Sequence, residues 1–239
     1  MSALPSPRPA VPLDVLGQRA RPVSLAVERG LPVLPALAPL VPDGALARGS
    51  VVGVAGPGAT ALGLGLVAAA STAGAWTVVV GVPDLGLVAA AEAGLALDRT
   101  VLIAPPPPGQ WSTVVAALAE SVEVLVVRAD TRVRPGDLRR LRSHLRGRGG
   151  VLVRLPGRGS WPEAPDLALR VTQPSWRGAV GVERADGAGR LRARRVVVEV
   201  EGRGRAARPR RRELWLPGAD GRPAPVVEEG SVQRWARAV

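Results

Sequence analysis

The chain of 239 residues has no cysteine, tyrosine, phenylalanine, asparagine or lysine, and only one histidine (His144), one isoleucine (Ile103) and one methionine. Each absence removes a class of chemistry. Without cysteine there is no disulfide, thiol nucleophile, iron–sulfur cluster or zinc knuckle, and a single histidine cannot build a multi-histidine metal site. Without lysine there is no Schiff base and no ammonium to clamp a phosphate. All 32 basic residues are therefore arginine. The missing types include those with AT-rich codons, so a GC-rich genome is the plain explanation against which every arginine must be weighed.

What remains is enough to fold. Hydrophobic residues make up 46% of the chain, which argues against global disorder, and the length allows one large domain or a core with an appendage. The 29 glycines and 24 prolines predict many short elements and stiff turns. The formal charge of +12 is unevenly placed: residues 1–126 hold 6 arginines against 8 acids, residues 127–239 hold 26 against 12. A cationic half of this kind suits a polyanion or an acidic protein as partner, although solubility accounts for part of it. The segment Met1–Pro9 has no apolar core and its prolines break any helix, so the reading is a cytoplasmic chain. No charge occurs between Arg48 and Asp84, but glycines at 53, 56, 58, 63, 65, 74 and 81 divide that stretch into strand, loop, helix and strand rather than a membrane span.

Residues 1–40 read as a Pro-rich arm, 41–218 as a folded core and 219–239 as a tail. Within the core, Val/Leu runs at 50–55, 76–81, 100–104, 122–127 and 151–155 predict buried strands. The Ala/Leu and Arg/Leu segments between them predict helices near 60–73, 84–94, 111–120 and 136–146. That alternation is the pattern of a mainly parallel sheet with helices on both faces. From Leu167 the helices stop, and strands at 167–172, 178–184, 191–201 and 213–216 predict an antiparallel extension.

After the first of these strands, Gly56-Pro57-Gly58-Ala59-Thr60-Ala61-Leu62-Gly63 stands where a phosphate-binding loop would be. Such a loop needs a second glycine, a lysine for the β/γ charge and a hydroxyl for magnesium. Here those positions are Ala61, Leu62 and Gly63. The fourth strand should end in a metal-binding aspartate, and it ends in Arg128, a cation that repels magnesium. The expectation is a degenerate nucleotide fold with no catalytic residue, no metal and no cofactor. Asp84 and Asp130 are the carboxylates nearest the strand ends, and they read as helix-start or loop residues.

The series Gly44 to Pro57, then Glu92 to Pro105, then Val122 to Val127, Arg195 to Val200 and Arg212 to Gly218 resembles RecA-like proteins, and more closely the ImuA family with its actinobacterial ImuA′ form. The resemblance covers residues 31–218 and rests on order and spacing. It implies an accessory protein of error-prone translesion synthesis that binds ImuB, an inactive Y-family polymerase homologue, and through it an error-prone C-family polymerase. The sequence departs from RecA at Leu62, at Arg128, at Pro83 in the catalytic-glutamate position, and in a much shortened loop from Pro156 to Pro165. ATP hydrolysis, filament formation and strand exchange are therefore not carried over.

Residues 190–212 contain ten arginines against Glu199 and Glu201. They read as a half-exposed strand pair with a charged hairpin tip, Arg203, Arg205, Arg208, Arg210, Arg211 and Arg212, which either contacts DNA phosphates or an acidic partner or is simply a solvated loop. Of six tryptophans, Trp76 and Trp215 are expected in the core and Trp111 at a helix start. Trp161 and Trp176 flank the shortened loop and, with Trp235 in the tail, are candidates for protein contact, Trp235 having the alternative of packing back on its own domain. A sequence-independent nucleic-acid module and an atypical ATPase are the rival readings.

Overall fold

A computed structural model describes residues 30–107, 109–177 and 193–226. The first elements are β1 (Gly30–Pro32), two short 3-10 turns and β2 (Ala45–Ala47). β3 (Val51–Ala55), helix α1 (Ala59–Thr72), β4 (Thr77–Val80), α2 (Leu87–Glu92), β5 (Thr100–Ile103), α3 (Trp111–Ala119), β6 (Val124–Arg128), α4 (Pro135–Arg148) and β7 (Val151–Leu155) follow in alternation. The described residues then run without an α-helix through β8 (Leu167–Arg177), β9 (Ala193–Gly202), a 3-10 turn (Gly204–Ala206), β10 (Arg210–Trp215) and β11 (Ala224–Pro225). β1 pairs with β2, and the other nine strands form one sheet in the order β11-β10-β9-β8-β3-β7-β6-β4-β5. Pairing is parallel from β5 to β8 and antiparallel from β8 to β11. This is the expected α/β architecture with its antiparallel extension.

The central strands are Val/Leu on both faces because both faces are covered. α1 packs on one face with Leu62, Leu66 and Val67 fully buried. α3 and α4 cover the other with Trp111, Val115, Leu138, Leu141 and Leu145. α4 is set by its sequence: Pro135 occupies the first turn, where no N–H partner is needed, and Gly149 closes the helix in the left-handed conformation. Beyond β3 only the α1 face stays apolar. Leu167, Leu169, Val171, Val196, Val198, Val200 and Leu214 point into that core, while Arg170, Glu201 and Glu213 on the opposite face are exposed.

Several boundaries differ from the sequence reading. Residues 30–40 are core, not arm: Leu31, Leu37 and Leu40 are buried against α1, which is apolar all round and needs a cover on its outer side. The start of the expected tail is likewise part of the core: Ala224 and Pro225 pair with β10, and Pro223 packs against α1 at Gly65. Trp76 is not core; it precedes β4, is 43% exposed and lies under the guanidinium of Arg99. Arg210, Arg211 and Arg212 are in β10, paired with Val200, Glu199 and Val198, so the tip shrinks to residues 203–209. The strand expected at 178–184 and the residues before 30 lie outside the described residues. Among the described residues no helix is long and apolar enough to cross a membrane.

Candidate functional site

β3 ends at Ala55 and the chain turns into α1 through Gly56-Pro57-Gly58. The turn is closed by the Ala59 N–H donating to the Gly56 carbonyl (3.1 Å) and the Leu62 N–H to the Gly58 carbonyl (3.1 Å). Gly56 and Gly58 have φ of +89° and +85°, which a side chain would resist. Space is also closed. A Cβ on Gly56 would meet the Val171 carbonyl of β8, and one on Gly58 would strike the guanidinium of Arg194.

Arg194 is the feature that decides how the loop can be used. It comes from β9, is 9% exposed, donates from Nε to the Leu216 carbonyl (2.8 Å) and lies 5.3 Å from the ring centre of Trp176. Its backbone is fixed by two bonds to residues 216 and 217. Burial lowers its guanidinium pKa below the ordinary value, and among the described residues no carboxylate pairs with it. α1 has no acid in its first turn and no side-chain cap. The positive end of α1 therefore faces a cation, where a phosphate loop presents open N–H groups to an anion.

The other nucleotide-handling positions are occupied by structural residues. Leu62 is fully buried in the core. A Cβ on Gly63 would come within 2.7 Å of Leu155, so this position is a helix–sheet contact. Arg128, at the end of β6, bonds Asp84 beyond β4 (Nη1 to Oδ1, 2.6 Å). That hydrogen bond, with one from the Asp84 backbone, holds the Asp84 carboxyl below the usual carboxylate range. An ion pair thus spans the two strand ends where a magnesium ligand and a catalytic carboxylate would stand. Pro83 is exposed beside it.

Of the remaining candidates, Trp161 is half-buried, edge-on to Trp111 (5.6 Å) and beneath Arg154 (5.2 Å), so it packs the shortened loop. Trp176 is 47% exposed. Arg203, Arg208, Arg211 and Arg212 are exposed and Arg210 is half-buried. The Arg205 side chain and Trp235 lie outside the described residues. Asp130 is a loop residue that accepts the Arg158 N–H (2.8 Å).

Two arginines were missed, and both had a signal. Arg194 has the same parity along its strand as Val196, Val198 and Val200, so it must face the core side. Arg142 stands four residues after Leu138 on α4, on the buried side. It binds the carboxylate of Asp166 (3.0 and 2.8 Å) and the Ala164 carbonyl (3.2 Å), and its Nε is 3.5 Å from Glu163.

The model of the family described as MT3502 N-terminal domain matches residues 39–163, or 125 of 239 residues. The chain belongs to that family. In this family member the matched stretch includes the glycine loop, Leu62 and Arg128 and ends before β8, so Arg194 and the antiparallel wing lie beyond it. The crystal structure of the RadB recombinase is similar in fold, with a TM-score of 0.58 and 16% identity over 81% of this chain and 97% of that one. The fold of the core is RecA-like. No curated protein matches the chain.

Proposed function

We propose that this MT3502-family chain is a non-catalytic RecA-like accessory protein of error-prone translesion DNA synthesis. In this reading it binds an ImuB-like inactive Y-family polymerase homologue and, through it, an error-prone C-family polymerase. The observation that carries the non-catalytic part is Arg194, a buried guanidinium packed on Gly58 in a loop whose lysine position is the core residue Leu62. The translesion part is supported by the ordered likeness to ImuA set out above. Titrating ATP and magnesium into the full chain should give neither heat nor hydrolysis, and pull-down should recover the ImuB-like homologue at micromolar concentration. Hydrolysis, or the absence of any complex, would overturn the respective half of the reading.

A second reading, a sequence-independent nucleic-acid module, is favoured by the exposed arginines at 203, 208, 211 and 212. It predicts single-stranded DNA affinity that falls steeply with salt. Replacing Arg208, Arg210, Arg211 and Arg212 by alanine should then flatten the log–log salt slope by about 3. An unchanged slope sinks it.

A further inference from the structure

Parallel strands of one sheet are normally joined by a crossover that carries a helix. The β7–β8 crossover, residues 156–166, has none; its 11 residues return the chain across the sheet face opposite α1. It passes over β3 at Gly53, where a Cβ would lie 2.8 Å from the Pro165 ring. Only glycine admits so close a crossing. Among the described residues no helix takes the place of the missing one beyond Pro165, and a cleft of about 150 Å³ lies on the sheet there.

The cleft is lined by charges of both signs, and Arg170 of β8 stands among them, opposite Glu199. Its floor is Gly53, Ala55 and Ala168 on the adjacent strands β3 and β8. Arg154 of β7 stands at one end, and Glu199 and Glu201 of β9 at the other. Among the described residues none of these three has an ion-pair partner within 4.0 Å. Arg154 is half-buried, stacks on Trp161 and reaches only a long bond to the Glu163 carbonyl (3.5 Å). Burial lowers its guanidinium pKa, the mark of a cation short of compensation. Glu199 is flanked in register by Arg170 and Arg211, but Glu201 faces only Ala168. With two arginines and two glutamates in its lining, the cleft offers a phosphate backbone no net positive charge, whereas a segment bearing both signs matches it.

We infer that this cleft binds an extended segment of a partner protein carrying an acidic side chain, seated at Arg154, and a basic one three or four residues away, seated at Glu201. From β7 to β9 is three strand spacings, about 14 Å, and three to four extended residues span roughly 10–13 Å before side-chain reach is added. The inference rests on the protein-binding half of the proposed function and not on the identity of the polymerase.

The test uses the full chain and two end-blocked, fluorescein-labelled peptides, Asp-Val-Val-Val-Arg and Asn-Val-Val-Val-Gln, with the single-charge forms Asp-Val-Val-Val-Gln and Asn-Val-Val-Val-Arg to read acid and base separately, by anisotropy at low salt. The doubly charged peptide should bind about tenfold or more tightly than the uncharged one, an advantage of about 1.4 kcal/mol or greater. R154Q should abolish discrimination for the acid while keeping that for the base, and E201Q should do the reverse, a split that general loss of structure cannot produce. Equal affinity for the two peptides, loss of both preferences in either variant, or competition by oligo-dT would overturn it. Pull-down of the ImuB-like homologue by R154Q and E201Q separates the two readings. Full recovery there removes the cleft from that interface and leaves the accessory role intact, whereas peptide binding with failed pull-down of the unaltered chain does the opposite.

Discussion

Leu62→Lys, which restores the residue a phosphate loop requires, is expected to destabilise the fold by about 4 kcal/mol or more rather than to create a nucleotide site. Leu62 has no exposed surface and is surrounded by the aliphatic core of α1 and the sheet. An ammonium there is cut off from water and lies near the positive end of α1, and the charged group packed over the loop at Gly58 is the guanidinium of Arg194, not an anion. The variant should therefore fold with a neutral amine. Because the folded pKa of that lysine is depressed below its unfolded value near 10.4, the deficit is largest at neutral and lower pH and narrows as pH rises toward 10. Calorimetry at pH 7 should show a fall in Tm of roughly 8–16 °C. A variant that keeps its Tm within 2 °C, or gains ATP affinity, would refute the reading of this position as structural.

Arg142→Ala should cost about 2 kcal/mol, after allowing for the partial exposure of Asp166. The arginine ties α4 to the helix-free crossover: it holds Asp166, whose other oxygen contact is the Val51 N–H at the start of β3 (2.8 Å), and it caps the Ala164 carbonyl. Its removal leaves the carboxylate, the carbonyl and the packing at Pro165 without their common support. Arg142→Lys should recover less than half of the loss, since an ammonium cannot meet three acceptors in a fork. A double-mutant cycle with Asp166→Asn, followed by urea denaturation, should give a coupling near 1 kcal/mol. Additive losses would show that the two residues act separately.

The alternation of apolar runs with Ala/Leu and Arg/Leu helices made the parallel core legible, because period and length distinguish buried strands from helices without any knowledge of partners. The degenerate loop was legible for a different reason: a missing side chain is visible in one dimension. Residues 30–40 were misread because proline suggests an arm, while their burial depends on the apolar outer side of α1, a tertiary fact. The same limit applies to Trp76, whose strand neighbours are buried while it stands one residue outside the strand. Arg194 and Arg142 were hidden in an arginine-rich background. Only their parity with neighbouring valines and leucines marks them, and composition counts erase parity.

β8 supplies the second edge of β3 and the first edge of the antiparallel wing at once, since Leu167 to Arg170 pair with β3 and most of the strand pairs with β9. The family segment ends at residue 163, four residues before that strand begins. In this chain, then, the boundary of recognisable kinship and the boundary of cooperative folding do not coincide. A polypeptide cut at 163 would leave the central strand with a raw edge and strip α1 of the Val196–Val200 surface that completes its burial. The part of the protein that heredity marks as a domain is, thermodynamically, only the larger share of one.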